Sequence, residues 1–296
     1  MKHKVFFITT STILTVILSL TLSNALVASD NFNLESFINR LIPEKNHAPA
    51  PEPDITNPGP DSASFPASPF TLPKGRGYFE NFPLYIDLLS YTCHNNNIEH
   101  TYTWPFLLRI GLTDFLEFRL TGQGLTHIYA DECQHSLTGF APLSFGIKAH
   151  LWGNQTWRWA PSAGIEMYIV TPIASKNLRD GTQFIINALF DHKFTDSLVL
   201  EWNLGVYSRG MKPFKKRCPY MIINFSLQQE ITKHIGLFIE GLYSTANRPL
   251  YPANLLLGAG FISTLTKRIC IYGSYNWAIH PNRNPDLANL GFAVAF

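Results

Sequence analysis

Histidine and serine are the residues of this chain that could carry catalysis or hold a metal ion. Four of the 10 histidines fall in or near two predicted loops, at His94, His100, His127 and His135. Their separations lack the tight spacing typical of zinc ligands. Ser144 and His150 share one predicted strand and one face, but six residues of strand put them roughly 20 Å apart, too far for a hydrogen bond. No phosphate-binding loop or dinucleotide fingerprint is present either. We therefore predict no catalytic residue, no metal site and no cofactor, and we do not expect an enzyme.

Charged residues are scarce, and those in the predicted strands share one face. They make up 15% of the chain, against roughly 25% in soluble domains. The net charge of +2 gives no electrostatic basis for nucleic-acid binding. Apolar and polar positions alternate with a period of two, as Leu200 and Trp202 do with Glu201 and Asn203. The same parity places nine charged side chains in a predicted lumen: Asp87, Arg109, Glu117, Arg119, Lys148, Glu166, Asp191, Glu201 and Glu240.

A turn repeat separates pairs of these alternating runs. The pattern apolar–Thr–(Asp or Lys)–any–apolar occurs four times, starting at Leu112, Phe194, Ile231 and Leu265. Its two apolar ends are four residues apart and have the same parity, which suits a hairpin connection of three residues. The chain is therefore predicted to be a series of β-hairpins that keep one face apolar throughout.

The alternation predicts twelve strands. Their approximate spans are 84–92, 98–112, 116–123, 142–151, 158–171, 182–194, 198–209, 219–231, 235–245, 254–265, 269–279 and 287–296. Short connections alternate with longer polar ones, such as 124–141, as periplasmic turns alternate with external loops in outer-membrane barrels. We therefore expect an all-β fold, a transmembrane antiparallel up-and-down β-barrel of about 12 strands. The last strand alternates up to Phe296 and is expected to close the barrel and to engage the barrel-assembly machinery.

The N-terminus has the features of a secretory signal. A basic start and an apolar stretch precede small residues, and cleavage after Ala25 or Ala28 fits the small-residue rule. A short helix from Ser29 to Glu44 is expected next, and nine prolines between Pro43 and Pro73 predict an extended linker in the periplasm. The predicted domains are a signal peptide at 1–28, a periplasmic N-terminal segment at 29–82 and the outer-membrane β-barrel at 83–296.

One stretch of the chain carries a family resemblance. Arg109-Ile-Gly-Leu-Thr-Asp-Phe-Leu-Glu-Phe-Arg119 resembles the signature of the outer-membrane family labelled "MetA-pathway of phenol degradation", whose members are described as transporters. Thr-Asp or Thr-Lys turns and a final Phe are also typical of its members. The resemblance covers about 105–296, although Ile110 stands where an aromatic residue is common. It implies an outer-membrane barrel with a role in the uptake of small, often hydrophobic compounds.

Four cysteines could form disulfide bonds in an oxidising compartment, and sequence alone allows three full pairings. They are Cys93, Cys133, Cys218 and Cys270. We predict a Cys93–Cys133 bond, because the first two external loops follow neighbouring strands whose outer ends lie close together. Cys270 falls at a periplasmic strand end, and Cys218 lies in another loop. A bond that closes a loop of this length stabilises by about 3–4 kcal/mol on the chain-entropy model.

Two functions fit the predicted barrel. The first is a passive channel or uptake protein, surrounded by outer-membrane lipid, for small solutes that include hydrophobic or aromatic compounds. In it, the three lumen bases pair with some of the six lumen acids in a constriction, and the remaining acids favour cations. The alternative is a non-conducting surface barrel with a packed lumen and external loops that bind a partner. Interlocked charges and bulky side chains would indicate a closed lumen, and small side chains an open one.

Overall fold

The computed structural model describes residues 52–87, 91–93, 96–130, 136–153, 160–179, 181–211, 216–245, 254–279 and 286–296. The predicted signal peptide at 1–28 and the helix predicted over 29–44 lie outside these ranges. His94, Cys133 and His135 lie outside them as well. Within the described residues, no helix has the length and apolar character needed to cross a membrane.

The described part of the chain contains sixteen strands, which belong to one antiparallel sheet. They are β1 (Gly77–Asp87), β2 (Tyr91–Cys93), β3 (Asn96–Thr103), β4 (Phe106–Thr113), β5 (Leu116–Gly122), β6 (Leu125–Ala130), β7 (Leu137–Phe140), β8 (Leu143–Trp152), β9 (Ser162–Val170), β10 (Gln183–Lys193), β11 (Leu198–Met211), β12 (Lys216–Thr232), β13 (Ile235–Ser244), β14 (Asn254–Thr266), β15 (Ile269–Ala278) and β16 (Leu287–Ala295).

Twelve of these strands close into a barrel, in the order β1, β4, β5, β8 and then β9 to β16. The last strand returns to the first, with pairing that runs from Tyr78↔Ala295 to Asp87↔Leu287. Closure leaves no free sheet edge whose backbone groups would face lipid. The predicted all-β antiparallel barrel of about 12 strands is therefore confirmed.

The first barrel strand begins at Gly77, earlier than the predicted start at 84. Pro83 lies inside this strand, at a point where the pairing register with β16 shifts between Asn81 and Leu84. A bulge of this kind accommodates a proline, which has no N–H to donate to the ladder. The barrel thus starts six residues before the predicted boundary at 83, and Glu80 becomes a residue of the wall.

Three barrel strands continue beyond a break as separate short strands. β3 precedes β4, β6 follows β5 and β7 precedes β8, and the breaks fall at Pro105, Gly124 and Pro142. The two prolines cannot donate to the ladder, and Gly124 has a φ of 56°. The prediction of a loop over 124–141 is wrong, because pairing resumes beyond the breaks and β6 lies between β3 and β7.

The threonine turns lie at the predicted positions, and three of them share one hydrogen-bond pattern. The hydroxyl oxygens of Thr195, Thr232 and Thr266 each accept the backbone N–H groups of the residues two and three positions further on. A side chain that satisfies turn N–H groups in this way stabilises the local turn. The four turns connect β4 to β5, β10 to β11, β12 to β13 and β14 to β15, so they share one end of the barrel, which we name the turn end.

The two faces of the wall have opposite polarity. Met167 and Ile169 of β9 and Ile239 of β13 are exposed on the outside, whereas the alternate residues Glu166 and Glu240 are buried on the inside. An exposed apolar belt of this kind is stable in hydrocarbon, where an outward charge would cost about 2–4 kcal/mol at the midplane. In outer-membrane barrels, which carry such a belt, the short turns face the periplasm.

Candidate functional site

Residues 52–76, which we name the lumen segment, occupy the inside of the barrel. The segment starts at the turn end, where the N–H of Ile55 donates to the Lys267 carbonyl oxygen at 2.8 Å. It reaches Phe65, whose N–H donates to Oε2 of Glu240 at 2.7 Å. It then returns to the turn end, where the N–H of Gly75 donates to the carbonyl oxygen of Gly111 at 2.9 Å. The segment therefore enters and leaves the lumen at the same end.

The prediction of an extended periplasmic linker does not hold for residues 52–76, since Ile55, Ala63 and Leu72 are buried. The prolines that suggested a linker also suit a buried chain. Each of them removes one backbone N–H that would otherwise need a partner in the interior. Wall side chains supply partners for several of the N–H groups that remain.

Side chains of the segment fix its entrance at the turn end. Thr56 donates to Oδ1 of Asp54 through its hydroxyl at 2.7 Å and through its backbone N–H at 3.0 Å. The hydroxyl bond is the main reason why the pKa of the Asp54 carboxyl is lowered. The hydroxyl of Tyr78, on β1, donates to the carbonyl oxygens of Asp54 and Pro58. Hydrogen bonds within the segment and hydrogen bonds to β1 thus both fix the entrance.

A buried charge network joins the segment to one side of the wall. Asp61 is its centre, because Oδ2 of Asp61 lies 3.4 Å from Nη2 of Arg109, 3.0 Å from Nη2 of Arg119 and 2.5 Å from Nζ of Lys148. All three basic side chains are at most 2% exposed. Buried cations need paired anions, and a single carboxylate of the segment serves three of them.

Wall carboxylates complete the network. Arg109 makes a two-pronged contact with Glu117, at 2.8 Å from Nε to Oε1 and 2.9 Å from Nη2 to Oε2, and it reaches Glu80 at 3.2 Å. Arg119 pairs with Glu166 through Nη1. Paired contacts between planar guanidinium and carboxylate groups are strong and directional, so the network holds a single arrangement of these side chains.

The same wall carboxylates also accept backbone N–H groups of the segment. Glu80 accepts those of Asp61 at 3.2 Å and Ser62 at 2.7 Å. Glu117 accepts the N–H of Leu72 at 2.9 Å. The wall therefore holds the segment both through main-chain N–H groups and through the Asp61 side chain.

Glycine allows the returning arm of the segment to touch the wall. A Cβ at Gly111 of β4 would stand 2.1 Å from the carbonyl oxygen of Pro73, and one at Gly164 of β9 would stand 2.8 Å from that of Pro69. Backbone cannot yield as a flexible side chain does, so larger residues would displace the segment. These two glycines therefore set the depth at which the arm lies.

A cavity of about 510 Å³ remains between the segment and the opposite side of the wall. Its lining includes Ile55 and Phe70 from the segment and residues of β10 to β15 from the wall. Asp196, Ser197 and Lys233, in two of the threonine turns, also line it. The cavity therefore lies towards the turn end of the lumen.

Two predicted lumen acids, Asp191 and Glu201, face this cavity. They are directly opposed in the pairing of β10 with β11. Glu201 accepts a hydrogen bond from Nε2 of Gln228 at 2.7 Å. Lys193, two residues beyond Asp191 on the same face, pairs with Asp196 at 3.2 Å.

The nine predicted lumen residues fall into separate groups in the structure. Arg109, Glu117, Arg119, Lys148 and Glu166 form the network around Asp61, and Asp191 and Glu201 line the cavity. Glu240 accepts the N–H of Phe65 and a bond from Asn276, while Asp87 lies half-buried near the far end of β1. Sequence reasoning missed Asp61 and Glu80, because both precede the predicted barrel boundary. An acid among small residues and prolines was the available signal for Asp61.

The remaining sequence predictions concern cysteine and metal. Cys133 lies outside the described residues, so the Cys93–Cys133 bond stays a prediction. Cys270 is a buried free thiol on the inner face of β15. Among the described residues, no group of three or more metal-ligating side chains is positioned to hold an ion.

Solved structures resemble the barrel in fold. An outer membrane channel from Pseudomonas putida F1 has a TM-score of 0.61 at 11% identity, covering 78% of this chain and 99% of that one. The translocator domain of the autotransporter NalP from Neisseria meningitidis has a TM-score of 0.50 at 11% identity, covering 75% of this chain and 89% of that one. At identities this low, the structural likeness concerns the barrel fold alone. No curated protein matches the chain in sequence.

Sequence comparison identifies the family to which the chain belongs. The family described as "Putative MetA-pathway of phenol degradation" matches residues 69–293, which is most of the chain and includes the returning arm of the lumen segment from Pro69. The match also contains the signature between Arg109 and Arg119, and so confirms the resemblance noted from the sequence. The chain therefore belongs to the phenol-degradation MetA family of outer-membrane β-barrels.

Proposed function

We propose that this protein is a passive outer-membrane channel for small solutes, hydrophobic or aromatic ones included, with the lumen segment as its constriction. The observation that carries the proposal is a lumen that the segment fills only in part. The charge network holds the segment against β1, β4, β5 and β8, and the segment reaches Glu240 of β13 at Phe65. A cavity of about 510 Å³ remains beside β10 to β15. A barrel built only as a rigid support would gain nothing from an unfilled interior, because cavities lower stability.

The contacts of the segment suit a constriction that can be displaced. Its partners on the wall are carboxylates, basic side chains and main-chain carbonyl groups, such as Glu80, Glu240 and Lys148. Water can solvate each of these groups when the segment shifts, whereas exposed apolar surface would have no such compensation. The lumen that opens would carry an excess of carboxylates and would favour cations over anions.

The solute class rests on the lining and on the family. Ile55, Phe70 and Phe238 give the cavity apolar walls beside its polar groups, the combination typical of sites for small organic molecules. The family description refers to phenol degradation. Both support a small solute with an apolar body, taken through the barrel by diffusion and without enzymatic conversion.

One observation favours the alternative of a non-conducting barrel. The network around Asp61 is fully buried on the β1 to β8 side, and interlocked charges of this kind close that part of the lumen. Under this alternative the segment stays in place permanently, and external loops bind a partner. The single-channel recording described next separates the two functions.

Single-channel recording in a planar bilayer tests the proposal. Purified full-length protein is compared with a variant that lacks residues 53–75 and with a control that lacks residues 30–50 and keeps the lumen segment. We expect larger conductance and a cation-favouring reversal potential in the first variant, a control equal to wild type, and partial block of the current by benzyl alcohol. A first variant that assembles, as shown by heat-modifiable mobility on gels, and still does not conduct would establish the closed barrel instead.

Assembly adds one further element to the proposed function. We infer that β16 presents its alternating apolar face to the barrel-assembly machinery before it pairs with β1. Phe296 supports this, because its backbone N–H and carbonyl oxygen both bond to Gly77 and seal the ring. A variant without residues 287–296 would expose two strand edges to lipid. We expect it to be lost from the outer-membrane fraction, and recovery of a compact membrane form would contradict this inference.

A further inference from the structure

The cavity has a second property, which concerns what it binds. Asp191 and Glu201 are directly opposed in the β10–β11 pairing, and both line it. Like charges directly opposite each other on a sheet repel, so a cation or hydrogen-bond donor between them would stabilise the arrangement. We propose that this cavity binds small organic cations in which an ammonium group is attached to an apolar body.

Asp191 points to a ligand because its carboxylate lines the cavity and the described chain gives it no hydrogen bond or ion pair. It is 7% exposed. Lys193, the basic residue two positions along the same face, is held by Asp196 at 3.2 Å. A buried charge without a partner is costly, and the cavity in front of Asp191 is the space from which a cationic group would pair with it.

The size and lining of the cavity favour an organic cation over a metal ion. The described residues hold no group of three or more ligating side chains, and about 510 Å³ lies in the range of sites for small organic molecules. Phe70 and Phe238 are among the lining residues, and aromatic rings attract ammonium groups and cover apolar bodies. The charged lining residues are four acids against two lysines: Asp191, Asp196, Glu201 and Glu230 against Lys193 and Lys233.

The position of the cavity places the binding site on the proposed path of the solute through the barrel. It lies towards the turn end, where a solute that has crossed the barrel would leave for the periplasm. The inference deepens the proposed function by naming a solute class for the same lumen. Calorimetry measures binding without any current. A failure of the binding proposal can therefore be told apart from a failure of the conduction proposal.

Isothermal titration calorimetry on the full-length protein in detergent tests the site. The probes are benzylammonium chloride and benzyl alcohol, which have similar shapes but differ in charge. We expect saturable binding of benzylammonium at least about tenfold tighter than that of benzyl alcohol, since a hydrogen bond to a charged group carries most of the affinity. Asp191→Asn and Glu201→Gln should each weaken benzylammonium binding about tenfold or more. Glu52→Gln, which neutralises an exposed acid outside the cavity lining, should leave it unchanged.

Three outcomes would overturn the proposal. They are equal affinity for the two probes, no saturable binding of benzylammonium by the wild type, and undiminished affinity in a folded Asp191→Asn variant. Heat-modifiable gel mobility establishes folding before each titration. If Asp191→Asn does not assemble, Glu201→Gln decides the matter, because Glu201 is half-buried and its amide replacement keeps the hydrogen-bonding shape of the side chain.

Discussion

The two sides of the lumen are built from the same kind of strand but differ in how their charges are satisfied. On the β1 to β8 side, Arg109, Arg119 and Lys148 meet the carboxylate of Asp61, and these side chains are at most 2% exposed. On the β10 to β13 side, Asp191 faces a cavity of about 510 Å³. The difference shows that one barrel lumen can hold an interlocked charge network along one wall and a cavity along another.

Loss of the Asp61 charge should break the packed side most severely. Asp61→Asn leaves three buried cations short of one anion, and removal of one partner from a buried pair costs about 3–5 kcal/mol. We expect the lumen segment to leave the barrel, with rapid cleavage near Phe65 by a protease added to the purified protein and with raised conductance. Glu52→Gln, at an exposed position, is the control. A protected segment in Asp61→Asn would show that the network does not hold it.

Glu166 and Glu201 separate the two sides by their response to the same replacement. Glu166→Gln removes one of the carboxylate partners of Arg119 and should lower the free energy of unfolding by about 3 kcal/mol, measured by urea titration in detergent. Glu201→Gln should leave stability nearly unchanged and lower the preference for cations in reversal-potential measurements. If Glu166→Gln lost cation selectivity and Glu201→Gln lost stability, the proposed difference between the two sides of the lumen would be contradicted.

A methyl group added at two wall glycines should sharpen the contrast. Gly111→Ala places a Cβ 2.1 Å from the Pro73 carbonyl oxygen, and overpacking of this kind costs about 1–3 kcal/mol. Gly236→Ala is the matched control, because its nearest neighbour would be 3.8 Å away. We expect only the first to increase cleavage of the lumen segment. Equal behaviour of the two variants would contradict a close fit between segment and wall.

The smallest effect on stability is expected where a ring is added to the open side. Thr264→Phe extends into the cavity and should change the free energy of unfolding by no more than about 0.5 kcal/mol, while it reduces conductance. Ala63→Phe puts the same ring on a residue that is 2% exposed and should destabilise the protein by about 1–3 kcal/mol. A strongly destabilised Thr264→Phe variant would show that the cavity does not accept added volume.

The sequence predicts the barrel well because lipid acts on every strand. Hydrocarbon excludes polar groups from one face, so the period of two survives along the whole wall, and β10 differs from its predicted span by one residue at each end. The lumen segment has no comparable signal. Its contacts join backbone N–H groups to carboxylates such as Glu80 and Glu117, and these contacts impose no periodicity on the segment. Pairing of Asp61 with three distant basic residues is a property of the closed ring, so no local pattern could reveal it.

The path of the lumen segment has a mechanical consequence. Its entrance and its exit lie at one end of the barrel, so a pull on the N-terminal side along the barrel axis would peel contacts away one after another, beginning with Ile55 at Lys267. A strand sheared along its length must lose all its bonds together, whereas a peeled loop loses them singly and yields at lower force. The returning arm, bonded to Gly111 and continuous with β1, would remain attached to the wall. The hydrogen bonds therefore hold the lumen segment against thermal motion, but they break at lower force when the pull comes from its N-terminal side.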